Sequence, residues 1–175
     1  MDYFETFPKM YYDAVGNGNY KLVTDILRRF KVRSAVANDI ALFDKYEVKS
    51  GEKPEDVSQK FYGTPYYHWV VLAMNNIKDR YYDWPLSEQD FNTYINAKYD
   101  NPGAVHHYEV TQSSGPTSSL DNSHLIQVNS DAVGASSVSN REYEQRIQDN
   151  KRLVKILHPQ YLDEFIEEFR RVIQK

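Results

Sequence analysis

A histidine pair in the middle of the chain comes closest to forming a chemical site. His106 and His107 are adjacent, and His124 and Asp121 could approach them across a turn, a ligand set that suits zinc or nickel. Neighbouring residues of a strand point to opposite faces, so both histidines could bind one metal only across a bulge. We therefore interpret them as solvated or interface residues and predict no metal site.

Catalytic motifs are missing elsewhere in the sequence. It contains no G-x-S-x-G, H-E-x-x-H, Walker or G-x-G-x-x-G motif, and residues 16–18 read as a plain turn. The acidic pairs at 55–56 and 163–164 fall in the first turns of predicted helices, where carboxylates stabilise exposed amides. The sequence predicts a protein that is not an enzyme and uses no cofactor.

The composition of the chain limits its size class and the kinds of partner that it can bind. The 175 residues are 41% hydrophobic, enough for one packed domain or one domain with a small satellite. A net charge of -4 argues against nucleic acid and anionic membranes as partners, and the absence of cysteine excludes disulfides and thiolate sites. The beginning of the sequence does not resemble a secretion signal and no apolar run could span a bilayer, so we predict no membrane insertion.

Tyrosine is the unusual residue. There are 15, with pairs at 11–12, 66–67 and 81–82. Tyr is enriched where proteins meet, because it offers a large apolar face and a polar tip. The alternative is that most of these rings are half-buried at the edge of a small core.

Local patterns predict the elements that must position these side chains. Residues 7–13 read as a strand, residues 20–31 as an amphipathic helix, and residues 40–49 as extended. Pro54 starts a helix that Gly63 ends, Thr64 caps a second helix that stops near residue 75, and Ser87 caps a third that runs to about residue 94.

The stretch from 105 to 140 is rich in serine and has no Lys or Arg. Strand-like runs at 106–110 and 125–128 favour an exposed hairpin, with a disordered linker as the alternative. We predict that residues 111–122 are mobile until partners order them.

The last 35 residues predict a helical hairpin. Its first helix carries apolar residues at heptad spacing, interrupted by one asparagine: Tyr143, Ile147, Asn150, Val154 and Leu157. This spacing fits a coiled-coil contact and fits a helix packed on its own domain equally well. Its second helix carries a broad apolar stripe: Leu162, Phe165, Ile166, Phe169, Val172 and Ile173. We interpret the stripe as an assembly surface, against the competing view that it is the protein's own core.

Residues 46–86 resemble a LysM module. Tyr46-x-Val48 matches its first strand, Phe61-Tyr62-Gly63 the end of its first helix, and Trp69, Leu72 and Asn75-Asn76-Ile77 its second helix. Lys53-Pro54 replaces the usual Thr-Leu and the closing strand is missing, which argues against glycan binding.

A longer resemblance covers nearly the whole chain. The run 25–30, Tyr62-Gly63-x-Pro65, Tyr67-x-Trp69-Val70-x-Leu72 and Tyr81-Tyr82-x-Trp84 is similar to the LysM-containing baseplate wedge protein family of T-even-like contractile-tailed phages. The resemblance implies a virion protein of the tail baseplate, present in several copies, that joins neighbouring wedges and the central hub through other wedge and hub proteins. The alternatives are a LysM-type peptidoglycan- or chitin-binding module and a wall-degrading enzyme.

These observations predict an α+β fold: a LysM-like strand-helix-helix core, an N-terminal helix, a protruding arm and a C-terminal helical hairpin. The predicted segments are 1–45, 46–100, 101–140 and 141–175. The candidate protein interface comprises Tyr66, Tyr81, Tyr82, Trp84, Leu162, Phe165, Phe169 and Val172.

Overall fold

A computed structural model describes residues 3–33, 36, 39–112 and 124–175. The chain forms two compact units, one from Met1–Trp84 with Arg152–Lys175 and the other from Pro85–Lys151. The mixture of helices and strands confirms the predicted α+β class. The unit boundaries cut across the predicted 46–100 and 141–175 segments.

The strands, in chain order, are β1 (Lys9–Tyr12), β2 (Lys21–Thr24), β3 (Phe43–Glu47), β4 (Val105–Thr111), β5 (Leu125–Val128), β6 (Ser136–Ser139) and β7 (Leu153–Leu157). The α-helices are α1 (Pro54–Tyr62), α2 (His68–Met74), α3 (Arg80–Asp83), α4 (Glu88–Lys98), α5 (Asn140–Arg152) and α6 (Leu162–Ile173). Short 3-10 turns occupy Tyr3–Thr6, Ile40–Leu42, Pro65–Tyr67 and Pro159–Tyr161.

Strands β3 and β7 form one of the two antiparallel two-stranded sheets of the first unit, with Phe43 opposite Leu157 and Glu47 opposite Leu153. The predicted order strand, helix, helix is present as β3, α1 and α2. The strand that pairs with β3 is β7, which follows the whole second unit in the chain. Whether this arrangement is related to LysM stays a prediction.

Capping residues set the limits of α1 as predicted. Pro54 occupies its first position, where a missing N–H costs nothing, and the Asp56 carboxylate accepts a 2.9 Å hydrogen bond from the Lys53 N–H. Gly63 ends the helix in the left-handed conformation, with φ 71°, and donates its N–H to the Gln59 carbonyl at 3.1 Å. The Thr64 hydroxyl then caps the 3-10 turn that leads into α2.

Two apolar clusters form the core of the first unit. The larger comprises Phe7, Trp69, Val70, Met74, Leu157, Leu162, Ile166, Phe169 and Ile173. The smaller comprises Val48, Val57, Val71, Trp84, Val154 and Ile156. Helix α2 contributes to both clusters because its adjacent residues Val70 and Val71 point to different sides.

The predicted N-terminal helix at 20–31 is wrong, because residues 21–24 form strand β2. This strand pairs antiparallel with β1, with Tyr11 opposite Leu22 and Met10 opposite Val23. Beyond it, the Asp25 carboxylate accepts from the Leu27 N–H at 3.2 Å and so holds a turn. The predicted strand at 7–13 is confirmed as β1, joined to β2 through the glycine turn.

The predicted C-terminal helical hairpin is also wrong. Helix α5 ends at Arg152, and Val154 and Leu157 of the predicted heptad spacing lie in β7. Pairing with β3 and burial of the alternating side chains Val154 and Ile156 stabilise a strand there, and this long-range pairing overrides the helical spacing. The final predicted helix is confirmed as α6.

The second unit contains α4, a three-stranded antiparallel sheet in the order β5-β4-β6, and α5 up to Lys151. The sheet confirms the predicted hairpin at 106–110 and 125–128, and β6 is an addition that its serine-rich sequence does not signal. Ser87 caps α4 as predicted, and the helix extends to Lys98. Residues 113–123 lie outside the described residues, so the predicted mobility of 111–122 stays a prediction.

Candidate interaction surfaces

Three of the eight predicted interface residues are buried in the chain's own core: Trp84, Leu162 and Phe169. The Trp84 indole N–H donates to the Glu52 carbonyl at 2.8 Å. The Phe169 ring lies 4.6 Å from that of Trp69 and 4.7 Å from that of Phe30, centroid to centroid. These side chains are not available to a partner, and most of the α6 stripe is core.

The three tyrosines of the predicted interface are exposed: Tyr66, Tyr81 and Tyr82. Helix α3 carries two of them, and two acidic side chains hold the turn at its N-terminal end. The Asp79 carboxylate accepts from the Tyr81 N–H at 2.8 Å, and the Asp83 carboxylate accepts from the Lys78 N–H at 2.9 Å. A rigid turn therefore presents an aromatic pair on the surface of the first unit.

An apolar groove of about 380 Å³ runs beside α6. The two remaining interface candidates, the half-buried Phe165 and the exposed Val172, lie on one wall. Phe30 and Val32 lie on the other wall, and Lys31, Arg33 and Glu168 supply charge. The exposed part of the α6 stripe thus faces an open, largely apolar groove.

A buried carboxylate connects the helices of the second unit. Glu144 on α5 accepts hydrogen bonds from the Lys98 ammonium at 2.6 Å and the Tyr99 hydroxyl at 2.9 Å. Burial alone would raise the pKa of Glu144, but the hydrogen bonds from Lys98 and Tyr99 outweigh it and leave that pKa below its usual range. The group is satisfied within the fold, so we assign it a structural role.

The histidine pair forms a second such network. Nδ1 of His106 lies 2.8 Å from Nδ1 of His107, whose Nε2 lies 2.8 Å from the Glu109 carboxylate. The Glu109 carboxylate lies 2.7 Å from the Arg146 guanidinium. The hydrogen bond from Arg146, followed in size by that from His107, holds the pKa of Glu109 below its usual range. The His106 ring stacks on Tyr143 at 4.0 Å.

Over the described ranges, no three His, Cys, Asp or Glu side chains are arranged to hold a metal ion. Asp121 of the predicted ligand set lies outside those ranges. Within the same ranges, the helices are too short or too polar to cross a membrane.

Exposed aromatic rings, an open apolar groove and internally satisfied polar networks are typical of a protein that works through contacts with other proteins. The family model described as Base plate wedge protein 53 matches residues 3–120. The chain belongs to this family and is a structural component of the baseplate wedge in a contractile phage tail. It is similar to baseplate wedge protein gp53 of Enterobacteria phage T4, with 25% identity over 167 residues that cover 87% of this chain and 85% of that protein.

Proposed function

We propose that this wedge protein joins neighbouring wedges to one another and to the central hub, in several copies per particle and without catalysis. The exposed aromatic turn formed by Tyr81 and Tyr82 carries this proposal, because solvated rings on a rigid turn offer contact area at low entropic cost. Tyr66 and the Val172 side of the groove are further contact points. The partners are other wedge and hub proteins of the same baseplate.

The test is complementation of a phage that lacks this gene. A chain carrying Tyr81→Ser and Tyr82→Ser loses two largely exposed rings and should support at least tenfold fewer infectious particles. Thermal melting of the purified variant checks that the first unit stays folded. Val133→Ser is the matched control, because Val133 is an exposed apolar residue of the second unit. Wild-type titres from the double variant would show that the aromatic turn makes no essential contact.

A further inference from the structure

Residues 29–33 lie along the groove beside α6 and have the alternating sequence Arg-Phe-Lys-Val-Arg. Phe30 and Val32 are half-buried, whereas the three basic residues of the segment are exposed. This alternation in burial is the period-2 pattern of an extended chain, whose successive side chains point to opposite sides. The Phe30 ring packs against Phe169 of α6, with 4.7 Å between the ring centroids, and so holds the segment beside the helix.

The backbone of this extended segment is unpaired. Among the described residues, no backbone hydrogen bond joins residues 29–32 to another part of the chain. Beyond them, the Arg33 carbonyl accepts from the Val36 N–H at 3.0 Å. Unpaired N–H and carbonyl groups along an extended chain are a template on which a second extended chain can add as a strand. In such an addition the main chains form hydrogen bonds, and alternate side chains of the added strand enter pockets.

The groove provides a pocket for those side chains. Its volume of about 380 Å³ lies within the range of about 300–1,000 Å³ that is usual for binding pockets. Phe165 and Val172 are only partly covered on the α6 wall, and Val172 is 47% exposed. Apolar side chains of an added strand would therefore remove apolar surface from water on both walls.

The charges beside the groove indicate what else the added strand carries. Lys31 and Arg33 line the groove, and Arg29 lines an adjoining pocket that shares the groove's α6 wall. Over the described residues, these three side chains form no ion pair. Glu168, the acidic residue of the groove's described lining, is already paired with Arg171. Three uncompensated positive charges favour a partner that brings carboxylates.

We propose that an extended segment of another baseplate protein, with alternating acidic and apolar residues, adds as a strand along residues 29–33. Its apolar side chains enter the groove against α6, and its carboxylates meet Arg29, Lys31 and Arg33. This inference rests on the proposed function and specifies the chemistry of the partner at the groove. A second copy of this chain fits less well, because the strands of the described residues that contain acidic side chains, β3 and β4, are already paired in sheets.

Photo-crosslinking in the assembled particle identifies the partner. A benzophenone amino acid replaces Val172 on the α6 wall in one phage stock and Lys31 on the opposite wall in another, and mass spectrometry of irradiated, purified tails locates the attached peptide. We expect both positions to attach to one segment of another baseplate protein, in which acidic and apolar residues alternate. Attachment to a second copy of this chain, to DNA, to a segment without acidic residues or to nothing would overturn the proposal. None of these outcomes bears on the Tyr81-Tyr82 turn, whose complementation test decides the proposed function separately.

A synthetic peptide that copies the attached segment supplies the quantitative test, by calorimetric titration of the full chain. We expect Lys31→Glu with Arg33→Glu to weaken binding roughly tenfold or more at low salt. Lys9→Glu with Lys21→Glu is the matched control, because it reverses two exposed lysines elsewhere in the same unit and should bind like the wild type. Wild-type affinity in the Lys31 and Arg33 variant, or equal losses in both variants, would overturn the proposal.

Changes to the peptide backbone separate strand addition from other modes of binding. Only every second N–H of an added strand faces its neighbour, so methylating successive backbone nitrogens of the peptide should weaken binding at alternate positions. Thermal melting checks that the variant chains stay folded, and the methylated peptides need no change in the chain at all. Losses that show no alternation, or no loss at any position, would overturn the proposal.

Discussion

Asn75 follows the last residue of α2 and reaches the edge of β7 that β3 leaves open. Its side-chain amide donates to the carbonyls of Lys155 and Val71, both at 2.8 Å, and accepts from the Lys155 N–H at 2.7 Å. The amide thus pairs with β7 as the backbone of a third strand would. Few other side chains offer a donor and an acceptor at this spacing.

Asn75→Ala should lower the free energy of unfolding of the first unit by about 3 kcal/mol, because two backbone groups of Lys155 lose their partner. Both tryptophans, Trp69 and Trp84, lie in this unit, so tryptophan fluorescence during urea unfolding measures the effect. The control is Asn150→Ala on the exposed side of α5, which should change stability by no more than about 0.5 kcal/mol. An equal effect from the two substitutions would contradict this role of Asn75.

Glu144 predicts a defined pH dependence. Its pKa is lower in the folded chain than in the unfolded chain, so its stabilisation is complete above the unfolded value of about 4.3. That stabilisation is lost as the pH falls through the folded pKa. Glu144→Gln should cost about 2 kcal/mol at pH 7 and progressively less as the pH falls below about 4.3.

Hydrogen exchange of the amides of α4 and α5 from pH 7 to 3 measures the effect, after correction for the intrinsic exchange rate. Glu142→Gln is the matched control, since Glu142 is exposed on the same helix and pairs only with Arg146 among the ion pairs of the described residues. A loss that is as large at pH 3 as at pH 7 would exclude the carboxylate charge as the cause.

Helix α6 combines a core face with an exposed edge. Phe169 is 3% exposed and packs against Trp69 and Phe30, whereas Val172, three residues later, is 47% exposed. Phe169→Ala should cost about 3–5 kcal/mol, and Phe169→Asp should unfold the first unit. Val172→Asp should leave the melting temperature nearly unchanged. Thermal melting of the three variants checks this, and a stable Phe169→Asp chain would refute the core assignment.

Elements whose signals are local could be predicted from the sequence. Pro54 and Gly63 limit α1, and Ser87 starts α4, because capping depends on residues within one turn. Strand β7 and the β2 strand could not be predicted in the same way. The apolar spacing of Val154 and Leu157 fits a helix, and only pairing with β3, far away in the chain, makes it a strand.

The sequence indicated that aromatic residues form the candidate interface, but it did not indicate which of them are exposed. The aromatic pair at Tyr81 and Tyr82 is exposed as an interface requires, but Trp84, two residues on, is buried by its hydrogen bond to Glu52 and its apolar neighbours. The exposure of a side chain depends on tertiary packing, and residue spacing along one helix does not reveal it. The β1-β2 hairpin was not predicted, because Leu22, Val23, Ile26 and Leu27 have the spacing of a helix.

At the scale of the whole molecule, the second unit is an insertion between α3 and β7 of the first. Both ends of the insertion are anchored on one short segment: the Arg152 carbonyl accepts from the Val48 N–H at 2.9 Å, and the Trp84 indole bonds to Glu52. Replacing residues 85–151 with a short Gly-Ser linker should therefore leave the first unit folded, with native tryptophan emission and a cooperative melt. Loss of cooperative melting would show that the first unit depends on the second.

A cryo-electron microscopy reconstruction of the purified tail tests most directly whether this chain is a baseplate wedge component that acts through protein contacts. We expect density for both units in every wedge, with Tyr81 and Tyr82 at a contact with another wedge or hub protein. The account would be contradicted if the chain were absent from purified tails, or present with those rings facing solvent throughout.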